Sequence, residues 1–449
     1  MLNKQVRFKG FVQTFGSQII IMCVTLLSGI LLARGLGAEG RGQYIAITMW
    51  SNILYWALSF GIYQTVLYYW KSYDKPKKVI FTTFLIYTLF FCALAILVAE
   101  LVIVPLVMAD YNQEVLLAAR IYFLGIIYVA FSDVLMASLA GDEKFGYSNM
   151  LRIAVPGLTT CVMLVLFLMG ELNSVTGLYS SFIISTCLFV LNLLKIKQNK
   201  LIGGKVDWKL MWIAFKYGSK SHGGSVAGIA SVNSTQMILS VFLPPSALGI
   251  YSTAQSSITP LNTITSTIGI TLQPMLTAEE RTIVHKRVVE IIRKSIIVLG
   301  VCSCALALLL PFAIPLVYGP EFKAATISAL ILLPSVMFNS VSNTYRNALN
   351  GAGMTFINTK AEVIVLICTA GLLYVFLSRM HLEGAAIVTV ISSMIRFLIF
   401  YTEYRKRIFR ITFLTMVPTW KDAKAIYLTS RGIWNNKLSR TPISKGNVQ

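Results

Sequence analysis

The sequence predicts an all-α polytopic membrane protein of about twelve transmembrane helices, arranged as two pseudo-symmetric six-helix bundles around a central cavity. Three observations predict it. The 449 residues are 56% hydrophobic and only 13% charged, with a mean hydropathy of +0.71. Soluble domains carry roughly 25% charged residues and cannot bury that much apolar surface. The apolar residues fall in runs that reach the length of about 20 residues needed to cross a bilayer. Short motifs also recur between the two halves of the chain at a nearly constant spacing.

Taken in order, the runs place segments 1 to 12 near residues 12-33, 44-69, 79-108, 115-140, 150-170, 175-195, 221-243, 247-276, 288-318, 324-349, 357-378 and 384-404. The basic start MLNKQVRFKG has the form of a secretory signal. The run after it continues past Ser28 to Ala33 with no small-x-small cleavage site before Arg34, so it is read as a retained first helix. The segments divide the chain into an N-terminal bundle (1-198), a basic amphipathic cytoplasmic linker (199-220), a C-terminal bundle (221-404) and a basic cytoplasmic or interfacial tail (405-449). Trp208 and Trp212 suit the linker to the inner membrane surface. All seven cysteines sit in apolar runs with no CxxC pair, so they read as small packing residues.

On a soluble chain the net charge of +21 would point to nucleic acid. Here Lys and Arg gather in the short loops between apolar runs, so membrane orientation accounts for them and no nucleic-acid partner is expected. With the N-terminus inside, 33 of the 39 Lys and Arg fall on the cytoplasmic side. Arg34, Arg41, Arg120, Lys323 and Arg379 fall outside, and Arg396 lies within segment 12. Both termini are therefore expected in the cytoplasm.

The repeat has a measurable register. Gly42-Gln43-Tyr44 opening segment 2 matches Gly249-Ile250-Tyr251 opening segment 8, an offset of 207. Leu106-Val107 matches Leu316-Val317, and Leu139-x-Gly141 matches Leu349-x-Gly351, both offset by 210. Gly177 matches Gly384, again at 207. An even number of helices per half starts both halves on the same side, so the pseudo-axis runs along the membrane normal.

Enzyme signatures are missing from this frame. Three histidines form no HExxH, there is no GxxxxGK[ST], and the single GxGxxG string (Gly35 to Gly40) joins two membrane segments without a preceding strand. Neither a cofactor nor a metal site is expected, and no catalytic residue is assigned. Polar residues at helical spacing inside apolar runs stand out instead, because they must face protein or water rather than lipid. At about 100° per residue, Gln255, Thr259, Asn262, Ser266, Gly269 and Gln273 share one face of segment 8. Segment 7 carries His222, Ser225, Asn233 and Gln236 on one face, and segment 10 carries Ser328, Ser335, Asn339, Ser342 and Arg346. Two roles fit such residues, interhelical hydrogen bonding or the lining of a wet cavity, and full-length stripes on several helices favour the cavity. Arg346 and Arg396 can pair with phosphate oxygens or snorkel to the interface. His222 can titrate near neutrality or serve as a hydrogen-bonded structural residue. Asp133 and Glu362 are the carboxylates taken as candidates for proton or sodium coupling, Glu362 lying close to the inner end.

LLARGLGAEGRGQY (31-44) resembles the first loop of bacterial polysaccharide flippases of the Wzx type, in the multidrug/oligosaccharidyl-lipid/polysaccharide exporter superfamily. Leu248 to Ala254, Val317 to Phe322, Leu349 to Gly353 and Leu382 to Ala386 resemble further recurrent segments of that family, in order, over about residues 10 to 405. The resemblance implies a transporter in the bacterial cytoplasmic membrane that moves undecaprenyl-diphosphate-linked oligosaccharide to the periplasmic leaflet, with membrane lipids around it. Polymerase and chain-length proteins of the same pathway would be its partners. Relatives place an acidic residue about where Gln236 stands, so this chain departs from their coupling pattern. A multidrug antiporter of the same superfamily is the alternative, although a cation carrier would want intramembrane carboxylates. A membrane polymerase or ligase would present a long external loop, and every outer loop here is short.

Overall fold

In the computed structural model, residues 4–276 and 281–424 are described. Among them the regular structure is all helical: α1 (Lys4–Leu58), α2 (Ile62–Ser72), α3 (Lys77–Val98), α4 (Val104–Val107), α5 (Gln113–Leu124), α6 (Ile126–Gly141), α7 (Phe145–Leu168), α8 (Ser174–Gln198), α9 (Trp208–Phe242), α10 (Pro245–Leu276), α11 (Arg281–Tyr318), α12 (Ala325–Gly351) and α13 (Phe356–Arg407). Nine helices among the described residues are long and apolar enough to cross a membrane.

Two of those nine each hold two crossings. In α1 the backbone leaves helical values at Gly37, and in α13 at His381. Arg41 Nη1 donates to the Gly29 carbonyl at 2.7 Å, and Arg396 Nε donates to Glu362 at 3.2 Å. In a straight helix rising about 1.5 Å per residue the second pair would be roughly 50 Å apart, so the chain doubles back at both points. Glycine supplies the positive φ of 67° at Gly37 without steric cost. With these two hairpins and the more polar α10, the twelve predicted segments are all accounted for.

Other boundaries differ from the sequence reading. Segment 2 breaks at Phe60 and Gly61, both at positive φ, where helix α9 comes so close that a Cβ on Gly218 would stand 2.3 Å from the Phe60 carbonyl oxygen. Segment 3 passes through a π turn at Ala99–Ile103, beside which Glu100 pairs with Arg120 at 3.2 Å. The amphipathic end of the linker is continuous with segment 7, both lying in α9. The Asp207 carboxylate accepts from Leu210 N at 3.0 Å and caps this helix at its start, Trp208. That backbone hydrogen bond, with the Tyr73 hydroxyl, holds the Asp207 carboxyl below the usual range. Beyond α13, the stretch to residue 416 folds back: Tyr401 donates to Ile411 O at 3.1 Å and Arg293 to Thr415 O at 2.7 Å.

The two halves meet at the Gly37 end of the bundle. A Cβ on Gly42 would stand 1.7 Å from the Pro245 carbonyl oxygen, and one on Gly249 would stand 1.9 Å from that of Ala38. Adding 207 to residues 38 and 42 gives 245 and 249, so the contacts exchange under the sequence repeat. Such reciprocity is the property of a two-fold interface. Beside it Arg41 is buried, with Nη2 3.1 Å from Ser256 Oγ and its guanidinium 5.4 Å from the Tyr318 ring centroid. Arg34 donates to the Leu316 and Val317 carbonyls, and Trp50 Nε1 to Ser240 Oγ at 3.0 Å. This end is sealed.

Candidate functional site

The C-terminal half holds a cavity of about 450 Å3 lined by α9, α10, α12 and both limbs of α13. Small residues let the lining helices converge. Gly224 abuts Thr359 and Gly228 lies against Glu362, which brings the next turns of α9 beside α13. At the base of the cavity Glu362 is buried, and Arg396 Nη2 pairs with it at 3.2 Å. Arg396 also donates to Asn339 Oδ1 at 3.1 Å and to Ser231 Oγ at 2.8 Å. Four helical limbs are thereby tied through one guanidinium, which satisfies the charge that burial would otherwise penalise. Further along the same helices the lining is neutral: Thr389 Oγ1 lies 2.9 Å from Thr235 Oγ1 and 2.8 Å from the Tyr251 hydroxyl, and Thr369 lies 2.7 Å from Ser392.

Arg346 differs from Arg396 in a way that matters for binding. Its Nη1 approaches Glu362 only to 3.9 Å, its side chain is 38% exposed, and it has no hydrogen bond among the described residues. Two guanidiniums and one carboxylate leave the cavity with formal charge +1, and the surplus sits on the arginine with unused donors. A planar guanidinium with free donors matches two oxygens of a phosphate.

Of the sequence candidates, the structure brings Asn233, Gln255, Thr259, Asn262, Asn339, Arg346, Glu362 and Arg396 to this one cavity. Gln236 joins at its edge by donating to Gln255 at 2.6 Å. Glu362 is the coupling candidate that the sequence offers near the inner end of segment 11. It is the buried partner of two arginines. His222 is not brought to the cavity. Its Nε2 lies 2.6 Å from the Trp56 carbonyl oxygen and its ring 6.1 Å from that of Phe60, a contact between the halves. Ser266 and Gln273 lie on α10, but their side chains fall outside the described residues.

Asp133 is in a different place, a second cavity of about 510 Å3 in the N-terminal half, where it accepts a hydrogen bond from Tyr55. Sequence reading missed this cavity because Trp56, Tyr63 and Tyr128 in its wall are grouped with the hydrophobic residues and form no stripe of amides or hydroxyls. It also missed Ser231, Thr235, Asn343 and Thr389 in the first cavity. The i, i+4, i+7 spacing of Asn339, Asn343 and Arg346 was the available signal.

Residues 31–327 match the family described as Polysaccharide biosynthesis protein. The chain belongs to the polysaccharide biosynthesis protein family. A Shigella flexneri relative named "Putative O-antigen transporter" is 24% identical over 376 residues, which cover 79% of this chain and 87% of that protein. Among solved structures, the lipid II flippase MurJ in an inward closed conformation aligns with a TM-score of 0.66 at 13% identity, over 96% of this chain and 94% of MurJ. A multidrug resistance MATE family transporter of the MOP superfamily, inward-facing, also gives 0.66 at 13% identity, over 87% and 98%. Its outward-facing form gives 0.56 at 14% identity, over 89% and 95%. This member of the polysaccharide biosynthesis family therefore has the fold of MOP superfamily flippases and transporters.

Proposed function

We propose that this chain flips undecaprenyl-diphosphate-linked oligosaccharide units from the cytoplasmic to the periplasmic leaflet, for a surface polysaccharide such as O-antigen, capsule or exopolysaccharide. The carrying observation is the C-terminal cavity, polar, net cationic and with Arg346 donors unspent, inside a duplicated membrane bundle of this family. A diphosphate needs such a charge, and the lipid tail can stay in the bilayer while the headgroup crosses. The basic end of the bundle is cytoplasmic in this reading, so the sealed Gly37 end is periplasmic. Transport follows by rocking one half against the other, opening that seal and closing the cytoplasmic side. Of the two carboxylates, Glu362 is engaged by two arginines, which leaves Asp133 available for a coupling proton or sodium ion. A multidrug cation would meet a surplus positive charge in this cavity, which disfavours the antiporter reading.

The test is deletion of the gene in cells that make the polymer. Surface glycan is expected to disappear while the lipid-linked unit still assembles and can be extracted. A mutant unable to make the lipid-linked unit would mean a biosynthetic enzyme and would overturn the flippase reading.

A further inference from the structure

The two cavities occupy equivalent places in the two repeats. Across segments 4 and 5 the repeat offset is 210, and it carries Val129, Asp133, Met136 and Arg152 onto Asn339, Asn343, Arg346 and Glu362. The first four line the N-terminal cavity and the second four line the C-terminal one. At the offset of 207 that fits segments 6 and 12, Ser185 and Ser392 correspond, and each again lines its own cavity. The two halves thus carry a cavity at equivalent positions with different side chains.

The decoration separates two kinds of chemistry. The C-terminal copy carries the surplus guanidinium of Arg346 amid amides and hydroxyls. In the N-terminal copy the lining carries one arginine, Arg152, and one carboxylate, Asp133, so it has no formal surplus charge, and aromatic rings stand in the lining instead. Tyr128 is held by stacking on Phe189, centroids 4.8 Å apart. Asn192 is fixed by accepting from Tyr147 and donating to Ser132, both at 2.7 Å. The Ser148 hydroxyl is buried without a hydrogen-bond partner among the described residues. Flat aromatic faces set among oriented amide, hydroxyl and carboxylate groups suit a sugar ring, which has apolar C–H faces and a rim of hydroxyls. The volume falls in the range of about 300–1,000 Å3 typical of small-ligand sites. Helix α9 joins the two places: His222 contacts Trp56 of the N-terminal cavity, and Ser231, about 14 Å further along the helix, lines the C-terminal one.

We propose that the N-terminal cavity is a saccharide subsite and the C-terminal cavity the diphosphate subsite for one headgroup bound across both. The assignment rests on the flippase reading above. It names Trp56, Tyr63, Tyr128 and Asn192 as the residues that recognise sugar, and Arg346 as the residue that recognises phosphate.

The test compares two ligands, undecaprenyl diphosphate without sugar and the oligosaccharide-bearing lipid extracted from cells that carry the gene. Single cysteines replace Met136 or Asn343 (Met136→Cys, Asn343→Cys) in a background with the seven native cysteines changed to alanine, and maleimide labelling rates are measured. The sugar-bearing lipid is expected to slow labelling at both positions, and the sugar-free lipid at Asn343→Cys alone. Equal protection of Met136→Cys by both lipids overturns the saccharide subsite and leaves the flippase reading standing. No protection at either position by either lipid overturns the flippase reading itself. A second measurement needs no cysteine background: Trp56→Ala should weaken binding of the sugar-bearing lipid roughly five- to tenfold and leave the sugar-free lipid unchanged. Equal weakening for both lipids assigns Trp56 a structural role and overturns its place in the subsite.

Discussion

Gly42→Ala tests the seal between the halves. A Cβ there would stand 1.7 Å from the Pro245 carbonyl oxygen, where ordinary contact begins near 3.4 Å. Helices α1 and α10 would have to separate by the difference, and the obstacle is backbone rather than a side chain that can swing away. Overpacking of this kind costs about 1–3 kcal/mol. The cost falls only on the conformation in which the seal is closed, so the equilibrium should move roughly 5- to 150-fold toward the form open at the Gly37 end. A cysteine at Asn343, in the C-terminal cavity, reports that opening through its reactivity with a membrane-impermeant thiol reagent added from the periplasm. Gly249→Ala should act in the same direction and to a similar degree, since its Cβ meets the Ala38 carbonyl at 1.9 Å. Gly300→Ala is the control, because nothing lies within 4 Å of the Cβ it would add. Unchanged labelling in Gly42→Ala at normal membrane abundance would refute the reasoning.

Other outcomes follow from the cavity and from the charge distribution. Arg346→Lys should lose part of the surface glycan in a complemented deletion strain and Arg346→Ala more, whereas an arginine that only anchors the helix would be replaced by lysine without loss. Glu362→Gln leaves Arg396 buried without its counter-charge and should lower stability by about 3–5 kcal/mol, read as a drop in Tm of the purified chain. An unchanged Tm would mean that solvent, not Glu362, balances Arg396. A reporter active only in the cytoplasm should work when fused after residues 75, 200, 285 and 410, and periplasmic activity at any of them would break the proposed orientation.

The sequence carried the parts of the fold that depend on average polarity. Twelve apolar runs, and the Gly42 and Gly249 positions in register, were legible because hydrocarbon demands long helices and close helix crossings demand glycine. The hairpins at Gly37 and His381 fall in the gaps read between segments 1 and 2 and between segments 11 and 12, where Arg34, Glu39 and Arg41, and Arg379 and Glu383, interrupt the apolar runs. The extension of α9 back to Trp208 was hidden because polarity changes at residue 221 while the backbone does not. In the candidate site, the stripe on α10 was readable from spacing alone. The pairing of Glu362 with Arg396 was not, because 34 residues separate them and only the turn at His381 brings them together. The N-terminal cavity escaped notice because tyrosine and tryptophan hide hydrogen-bonding groups on rings that count as apolar.

Translocation itself is the most direct measurement. Purified chain is reconstituted into vesicles containing the oligosaccharide-bearing lipid in both leaflets, and a membrane-impermeant lectin outside captures whatever sugar reaches it. Protein-free vesicles yield only their outer-leaflet share. With the chain present, capture is expected to continue into the inner-leaflet share, and to slow when Arg346 is replaced by alanine. Capture that stops at the outer-leaflet share, in vesicles whose reconstituted protein still binds the lipid, would contradict the account.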